Sequence, residues 1–197
     1  MAATDLTHAA DNTPVSGSAS APEFVLERLR ADHAPALLAF ERENRAYFAA
    51  SVPDRGDDFF EEAGFAARHR ALLDEQETGT ILFHVLVAGD GEIVGRFNLI
   101  DVADGSAELG YRVAEKVTGR GLATATVREL CVRARDEYGL RRLTAGTTAE
   151  NSASRAVLAR VGFGAVGSVP LRLGISGIAY ELDLGGSFGR ERSGTSS

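Results

Sequence analysis

Apolar and polar residues alternate along the middle of the chain in a pattern that predicts three consecutive strands. Residues 81–88 are almost all apolar, which is typical of a strand buried on both faces. The turn residues at 89–91 separate them from a second strand over 92–100. A second turn at 103–106 leads into a third strand over 107–113. We expect these strands to form an antiparallel meander.

After the meander the hydrophobic period changes from two residues to three and four. Apolar positions recur along one side of 121–138, which predicts an amphipathic helix, and Gly139 stands where a C′ glycine ends such a helix. A short strand over 143–147 and a second helix over 151–161 follow. This half of the domain therefore predicts strands that alternate with helices.

The two ends of the patterned region add further elements. Residues 24–29 alternate as a strand, and Asp32 is a candidate N-cap for the helix that follows. The second half of 54–74 is expected to be helical, and 165–169 and 178–184 predict two final strands. The order predicts an α+β fold with a mixed, mostly antiparallel sheet of about seven strands and about four helices.

The folded region is predicted to be a single domain over 23–185. Residues 1–22 consist largely of Ala, Ser, Thr, Asp and Pro without helix or strand periodicity, and they predict a disordered leader. Residues 186–197 are rich in Gly, Ser and Arg and predict a disordered tail. No repeat of solenoid length is found.

Composition narrows the class of protein. A net charge of −7 argues against a general nucleic-acid binder, because phosphate neutralisation needs a basic face. The single cysteine, Cys131, excludes a disulfide framework and is typical of a reducing compartment. No apolar run reaches the length of a membrane span, and the first residues do not form a signal peptide. These features predict a cytoplasmic protein that binds neither nucleic acid nor membrane.

The junction between the third strand and the long helix carries the strongest chemical indication. Gly119 and Gly121 allow a tight turn and a close approach of the backbone to a ligand. Unpaired amides at the start of the following helix favour an anion, so 117–124 predicts a cradle for a pyrophosphate group. It is not a Walker loop, because no Lys-Ser/Thr pair follows the glycines. A tight turn without a ligand is the alternative.

Three segments in this order resemble the GNAT superfamily of N-acetyltransferases, in particular its ribosomal-protein N-terminal acetyltransferase branch. The resemblance covers most of 24–184. The segments that carry it are Glu108-Leu109-Gly110-Tyr111, then Thr118-Gly119-Arg120-Gly121-Leu122-Ala123, and finally Asn151, Ser154, Leu158, Gly162 and Phe163.

The resemblance implies transfer of an acetyl group from acetyl-CoA to a primary amine, in a GNAT-like sheet that is splayed in its middle near Val113 and Thr144. It also implies which residues bind the cofactor, through loop amides, a strand edge and one asparagine side chain. These residues are Tyr111, Arg112, Val113, Thr118, Gly119, Arg120, Gly121, Leu122, Ala123, Thr124 and Asn151. Thr118 departs from the family pattern, which has Gln or Arg there. No metal is implied.

Two side chains are candidates for proton transfer. Attack on a thioester needs a neutral amine, and Glu108, if partly buried, is the candidate general base. Its alternative role is an ion pair with Arg96 or Arg112. Ser154 matches the serine that this branch places near the sulfur and is the candidate general acid, although it could simply bond its own helix backbone. The other candidate acids are tyrosines, Tyr138 and Tyr180.

The acceptor side is less defined. Asn98 and Glu108 are the candidate substrate-binding residues. Arg96 shares a sheet face with Asn98 and could line the same cleft, but a solvent-facing polar strip is favoured more for Arg96 than for Asn98. The acidic run within 54–62 would favour a cationic amine. The acceptor is expected to be a protein N-terminus or a small-molecule amine. A catalytically silent CoA-binding module is the alternative function, and a homodimer is left open.

Overall fold

A computed structural model describes residues 24–50, 52–171 and 176–185. The predicted leader (1–22) and tail (186–197) lie outside the described residues. Within the described ranges, no helix is both long enough and apolar enough to cross a bilayer.

Seven strands form one sheet, as the alternation predicts. In chain order they are β1 (Phe24–Arg28), β2 (Leu82–Ala88), β3 (Ile93–Ala103), β4 (Ser106–Val113), β5 (Arg142–Thr147), β6 (Gly164–Pro170) and β7 (Ser176–Asp183). Their order across the sheet is β1-β2-β3-β4-β5-β7-β6. The meander β2-β3-β4 is confirmed, and β4 and β5 are the one parallel pair among these strands.

The parallel pair separates after a short contact. β4 and β5 are in register only from Ser106 and Arg142 to Glu108 and Thr144. Beyond Glu108, β4 continues to pair with β3 as far as Val113, while β5 continues to pair with β7. The sheet is therefore split in its middle, and the split opens toward the loop that begins the long helix.

Six α-helices lie in the described residues, two more than the expected four. They are α1 (Ala34–Glu43), α2 (Arg45–Ala49), α3 (Asp57–Phe60), α4 (Glu62–Glu77), α5 (Leu122–Asp136) and α6 (Ser152–Val161). The additional helices, α2 and α3, span only five and four residues, too few for a helical period to emerge from the sequence. The proposed N-cap Asp32 is wrong: α1 begins later, and Asp32 pairs with Arg30 at 3.0 Å.

The helices cover both faces of the sheet. Arg96 and Arg112, opposite each other on β3 and β4, point toward α1, where both contact Glu41. On the other face, Tyr111 contacts Ser154 of α6. A layer of helices on each face with the split sheet between them creates a passage from one face to the other.

His84 is a buried histidine on the α5 side of the sheet. Its Nε2 lies 2.8 Å from the hydroxyl of Tyr138, just beyond α5, and its Nδ1 has no hydrogen-bond partner among the described residues. Burial lowers the pKa of His84 to about 4, with nearby Arg28 and Arg133 acting in the same direction. His84 therefore contributes to the core as a neutral side chain.

This pKa predicts an acid-sensitive stability. The unfolded chain protonates His84 below about pH 6.5, whereas the folded protein resists until about pH 4, so the free energy of unfolding decreases across that window. Between pH 7 and pH 4.5, the free energy of unfolding measured with urea should fall by about 2 kcal/mol more in the wild type than in His84→Gln. Equal losses in the two proteins would contradict this.

Candidate active site

The loop before α5 presents a row of unpaired backbone amides. Gly119 and Gly121 have φ angles of 76° and 78°, the left-handed region that favours glycine. The Thr118 amide bonds Glu115 O, and the next bonded amide is that of Ala125, which donates to Gly121 O. In the described part of the chain, no acceptor faces the amides of residues 119–124. At the N-terminus of a 15-residue helix, such donors form a site for an anion.

The loop opens onto a cleft of about 320 Å³ at the split between β4 and β5. The cleft is lined by all the residues that the resemblance assigns to the cofactor, with the exception of Arg120. Ser154 also lines the cleft. Its volume falls in the range of small-molecule sites. The glycines leave room at the cleft floor, since a Cβ at Gly119 or Gly121 would meet no atom within 4 Å.

Several cleft residues were not found by sequence reasoning. Tyr47, Phe48 and Val52 come from α2 and the segment after it, and they form one wall. Arg160 of α6 lies at another part of the lining. This wall could not be predicted from the sequence because α2 is too short to show a helical period. The two adjacent aromatic residues in a polar segment are the one local signal that could have suggested it.

Asn151 and Ser154 begin α6 and share a local interaction. The Asn151 side chain is the N-cap, and its Oδ1 accepts a hydrogen bond of 3.0 Å from the Ser154 amide. This leaves the Asn151 side-chain amide as a donor toward the cleft. The cap orients the first turn so that the Ser154 hydroxyl faces β4.

A tyrosine, Tyr111, contacts the candidate acid. Its hydroxyl lies 3.1 Å from the Ser154 hydroxyl, and either group can donate. The Tyr111 ring stacks on Phe97 with centroids 5.8 Å apart, which holds it in place. Burial raises the pKa of Tyr111, so its hydroxyl stays protonated at neutral pH. The sequence points to Tyr111 only through its position on the strand.

The two tyrosines that the sequence suggested as acids, Tyr138 and Tyr180, lie away from the cleft. Tyr138 is bound to His84 near the end of α5, and Tyr180 is buried in β7 opposite Ala145. Neither lines the cleft. Of the three tyrosines, only Tyr111 can exchange a proton with Ser154.

Glu108 lies at the apex of the split. It is paired with Thr144 in the last register position before β4 and β5 diverge. Its side chain is exposed, in contrast to the partial burial expected from the sequence. On the far side of Thr144 lies Glu181 of β7, so two carboxylates flank one threonine on the same face. Glu181 was not found by sequence reasoning.

The acceptor side of the sheet differs from the expectation for Arg96. Arg96 is only 8% exposed and is not part of a solvent-facing strip. Its Nη1 lies 3.1 Å from Oε1 of Glu41, and Nη1 of Arg112 lies 3.4 Å from the other oxygen of the same carboxylate. Both arginines therefore share Glu41, a residue that no pattern in the sequence indicates. Asn98, next to them on β3, points its Oδ1 at no hydrogen-bond donor among the described residues.

Part of the acidic run is neutralised. Arg45 of α2 binds both Asp54 at 2.5 Å and Asp57 at 2.8 Å. The hydrogen bond with Arg45 lowers the pKa of Asp54, and the two ion pairs hold this part of the run against α2. The negative rim expected from the sequence is therefore weakened at these two positions.

A metal site is not suggested by the side chains present. No group of three or more His, Cys, Asp or Glu residues is arranged to hold a metal ion anywhere in residues 24–50, 52–171 and 176–185. The buried Cys131 lies in the core, and burial raises its pKa to about 12.

Comparison with known proteins agrees with this geometry. A family profile described as "Acetyltransferase (GNAT) domain" matches residues 23–164. "Probable N-acetyltransferase YjcK" of Bacillus subtilis (strain 168) is 27% identical over 147 residues, which are 72% of this chain and 80% of that protein. RimJ of Mycobacterium smegmatis, solved in complex with CoA-disulfide, is 27% identical with a TM-score of 0.74, and the match covers 81% of each chain.

A more distant solved structure extends the likeness of the fold. Ribosomal-protein-S5-alanine acetyltransferase from Vibrio fischeri has a TM-score of 0.76 at 19% identity, over 83% of this chain and 97% of that one. The predicted resemblance and the predicted fold are both confirmed. The chain belongs to the GNAT family of acetyltransferases, the N-acetyltransferases that depend on acetyl-CoA.

Proposed function

We propose that this protein transfers an acetyl group from acetyl-CoA to a primary amine by direct attack in the cleft at the β4–β5 split. The observation that carries the proposal is the row of unpaired amides at residues 119–124, which opens onto a cleft that Ser154 lines. Glu108 does not line this cleft but stands at the last paired position before β4 and β5 separate. The acceptor is a protein N-terminus or a small-molecule amine.

The residues of the cleft fit the cofactor. The amides of the loop would hold its pyrophosphate, which the exposed Arg120 of the same loop can approach as a cation from outside the cleft lining. The edge of β4 at Tyr111–Val113 and the free side-chain amide of Asn151 would bind its extended arm. Thr118 adds no donor to the cradle, because both its amide and its hydroxyl already donate to Glu115 O, at 3.1 and 2.8 Å.

Acetyl-CoA supplies an acetyl group activated as a thioester, and the protein supplies the proton transfers. An amine is largely protonated at pH 7 and must lose a proton before it can attack. Glu108, at the apex of the split, accepts this proton directly or through a water molecule and passes it to solvent. It can then accept the second proton, which the nitrogen loses once the C–N bond has formed. As the new C–N bond forms and the C–S bond breaks, the departing sulfur needs a proton in return.

Ser154 and Tyr111 form the route for that second proton. The Ser154 hydroxyl donates to the sulfur, the Tyr111 hydroxyl at 3.1 Å replaces that proton, and Tyr111 regains its own from solvent before the next turnover. The stacked ring and the raised pKa keep Tyr111 positioned and protonated. A serine that works alone is a poor acid, and the neighbouring phenol compensates for this.

This pair predicts a non-additive mutant cycle. Tyr111→Phe and Ser154→Ala should each lower kcat about tenfold, and the double variant should also lose about tenfold, because both changes interrupt one proton route. Tyr138→Phe removes a partly buried phenol outside the cleft and is the matched control, expected to keep kcat within about twofold. Multiplicative losses in the double variant would mean that the two hydroxyls act separately.

The proposed function is tested by calorimetry and thiol release. The folded protein should bind acetyl-CoA in the micromolar range and release CoA when amines and N-terminal peptides are supplied. Absence of binding at high micromolar acetyl-CoA would overturn the proposal. Binding without turnover on any amine would instead favour the silent CoA-binding module.

A further inference from the structure

Two arginines share one carboxylate beneath α1, and this leaves a buried positive charge. Glu41 is 1% exposed and Arg96 is 8% exposed, while Arg112 is partly buried beside them. Arg112 also lies over the ring of Phe48, with its guanidinium carbon 5.1 Å from the ring centroid. One negative and two positive charges give the cluster a net charge of +1 in a place where charges need partners.

Polar atoms of the cluster lack hydrogen bonds. Nε of Arg96, Oε1 of Glu41 and Oδ1 of Asn98 are buried without a hydrogen-bond partner among the described residues, although Glu41 Oε1 keeps its ionic contact with Arg96. Burial lowers the pKa of Arg96 to about 9, which still leaves it charged at pH 7. Leaving buried polar groups unpaired is costly and calls for an additional partner.

The surrounding charges do not neutralise the cluster. Arg55 and Arg68 lie close enough to lower the pKa of Arg96 further by repulsion. Asp54, which lines the small recess together with Glu41 and Arg112, already binds Arg45, as does Asp57. A group that joins the cluster should therefore be anionic.

Arg112 connects this cluster to the reaction cleft. It lines both the main cleft and a small recess of about 10 Å³ beside it. On the same face of β4, Gly110 and Glu108 follow at steps of two residues, or about 7 Å each. A Cβ at Gly110 would meet nothing within 4 Å, so open space lies over the strand between the candidate base and Arg112.

We propose that the acceptor carries a carboxylate close to its amine, and that Arg112 binds this carboxylate while Glu108 faces the amine. Arg96 supports Arg112 as a positioning residue through their shared partner Glu41. This inference rests on the proposed function and names the acceptor class. The carboxylate can be the α-carboxylate of a free amino acid or an acidic side chain near a peptide N-terminus. The acidic run by itself suggested an acceptor whose only charge is its cationic amine. The proposed acceptor carries a carboxylate in addition to that amine.

Matched acceptor libraries distinguish these sources. One arm compares free amino acids with the corresponding amino acid amides. The other arm compares two libraries of tripeptide amides. In both libraries the first residue is random, and position 2 is Glu in one and Gln in the other. Acetylated products are counted by mass spectrometry, and kcat/KM is measured for the best pair. We expect the carboxylate member of one arm to be preferred at least tenfold.

Variants assign the preference to Arg112. In Arg112→Gln, the kcat/KM of the carboxylate acceptor divided by that of its neutral counterpart should fall at least tenfold. Arg112→Lys should keep part of this preference. Arg160→Gln removes another cleft arginine, on α6, and should leave the ratio unchanged. Calorimetry on the CoA-loaded protein should show the same loss of carboxylate binding in Arg112→Gln without any chemistry.

The outcomes separate this inference from the proposed function. Turnover of neutral members equal to or better than that of carboxylate members overturns the inference and leaves the function standing. An unchanged ratio in Arg112→Gln overturns the role of Arg112. A protein that binds acetyl-CoA but acetylates no member of either arm also counts against the inference, whereas failure to bind acetyl-CoA overturns the function itself.

Discussion

Replacement of Glu108 by glutamine should lower kcat for acetyl transfer by about 100-fold, with the Kd for acetyl-CoA changed by less than about twofold. Glutamine has the shape of glutamate but cannot accept a proton from the acceptor amine. The residue sits at the apex of the split, outside the cofactor loop, so cofactor binding should be retained. Steady-state kinetics and calorimetry measure the two effects separately.

The pH dependence strengthens this prediction. An α-amine loses its proton near pH 8, so more acceptor is already neutral at alkaline pH and the variant should recover part of its rate there. Glu181→Gln is the matched control, because Glu181 is another exposed strand glutamate on the other side of Thr144. If Glu181→Gln has the larger effect, the assignment of the base to Glu108 is wrong.

Replacement of Gly121 by valine should weaken acetyl-CoA binding at least about 30-fold, which corresponds to about 2 kcal/mol. Gly121 caps α5 with φ 78°, where a β-branched residue is strained, and its missing Cβ leaves open space on the cleft floor. A side chain there would occupy the space in which the pyrophosphate approaches the amides. Calorimetry with acetyl-CoA measures the change.

A glycine that follows the other end of α5 provides the control. Gly139, just after α5, has φ 67°, and a Cβ added there would likewise meet no atom within 4 Å, but the residue lies outside the cleft. Gly139→Val should cost a similar free energy of unfolding and change the Kd by less than about twofold. Gly121→Ala, which is less strained, keeps the test valid if the valine variant does not fold. Equal losses of affinity at Gly121 and Gly139 would refute the cradle.

The order of the long elements could be predicted because each has a hydrophobic period that extends over several residues. Strands β2, β3 and β4 and helix α5 lie within a few residues of their expected bounds. The segment between α1 and α4 could not be predicted in the same way. Its helices α2 and α3 are too short to show a period, yet α2 supplies Tyr47 and Phe48 to the wall of the cleft.

The sequence by itself determined the loop geometry of this protein, because glycine conformation and helix-end amides depend on neighbours only a few residues away. The N-cap by Asn151 is local in the same sense. Only the tertiary structure decided which side chains meet. Tyr111 and Ser154 are 43 residues apart in the chain, and Arg112 and Glu41 are 71 apart. Strand pairing and helix packing bring such pairs together, and a pattern that spans only a few residues does not show which distant side chains will meet.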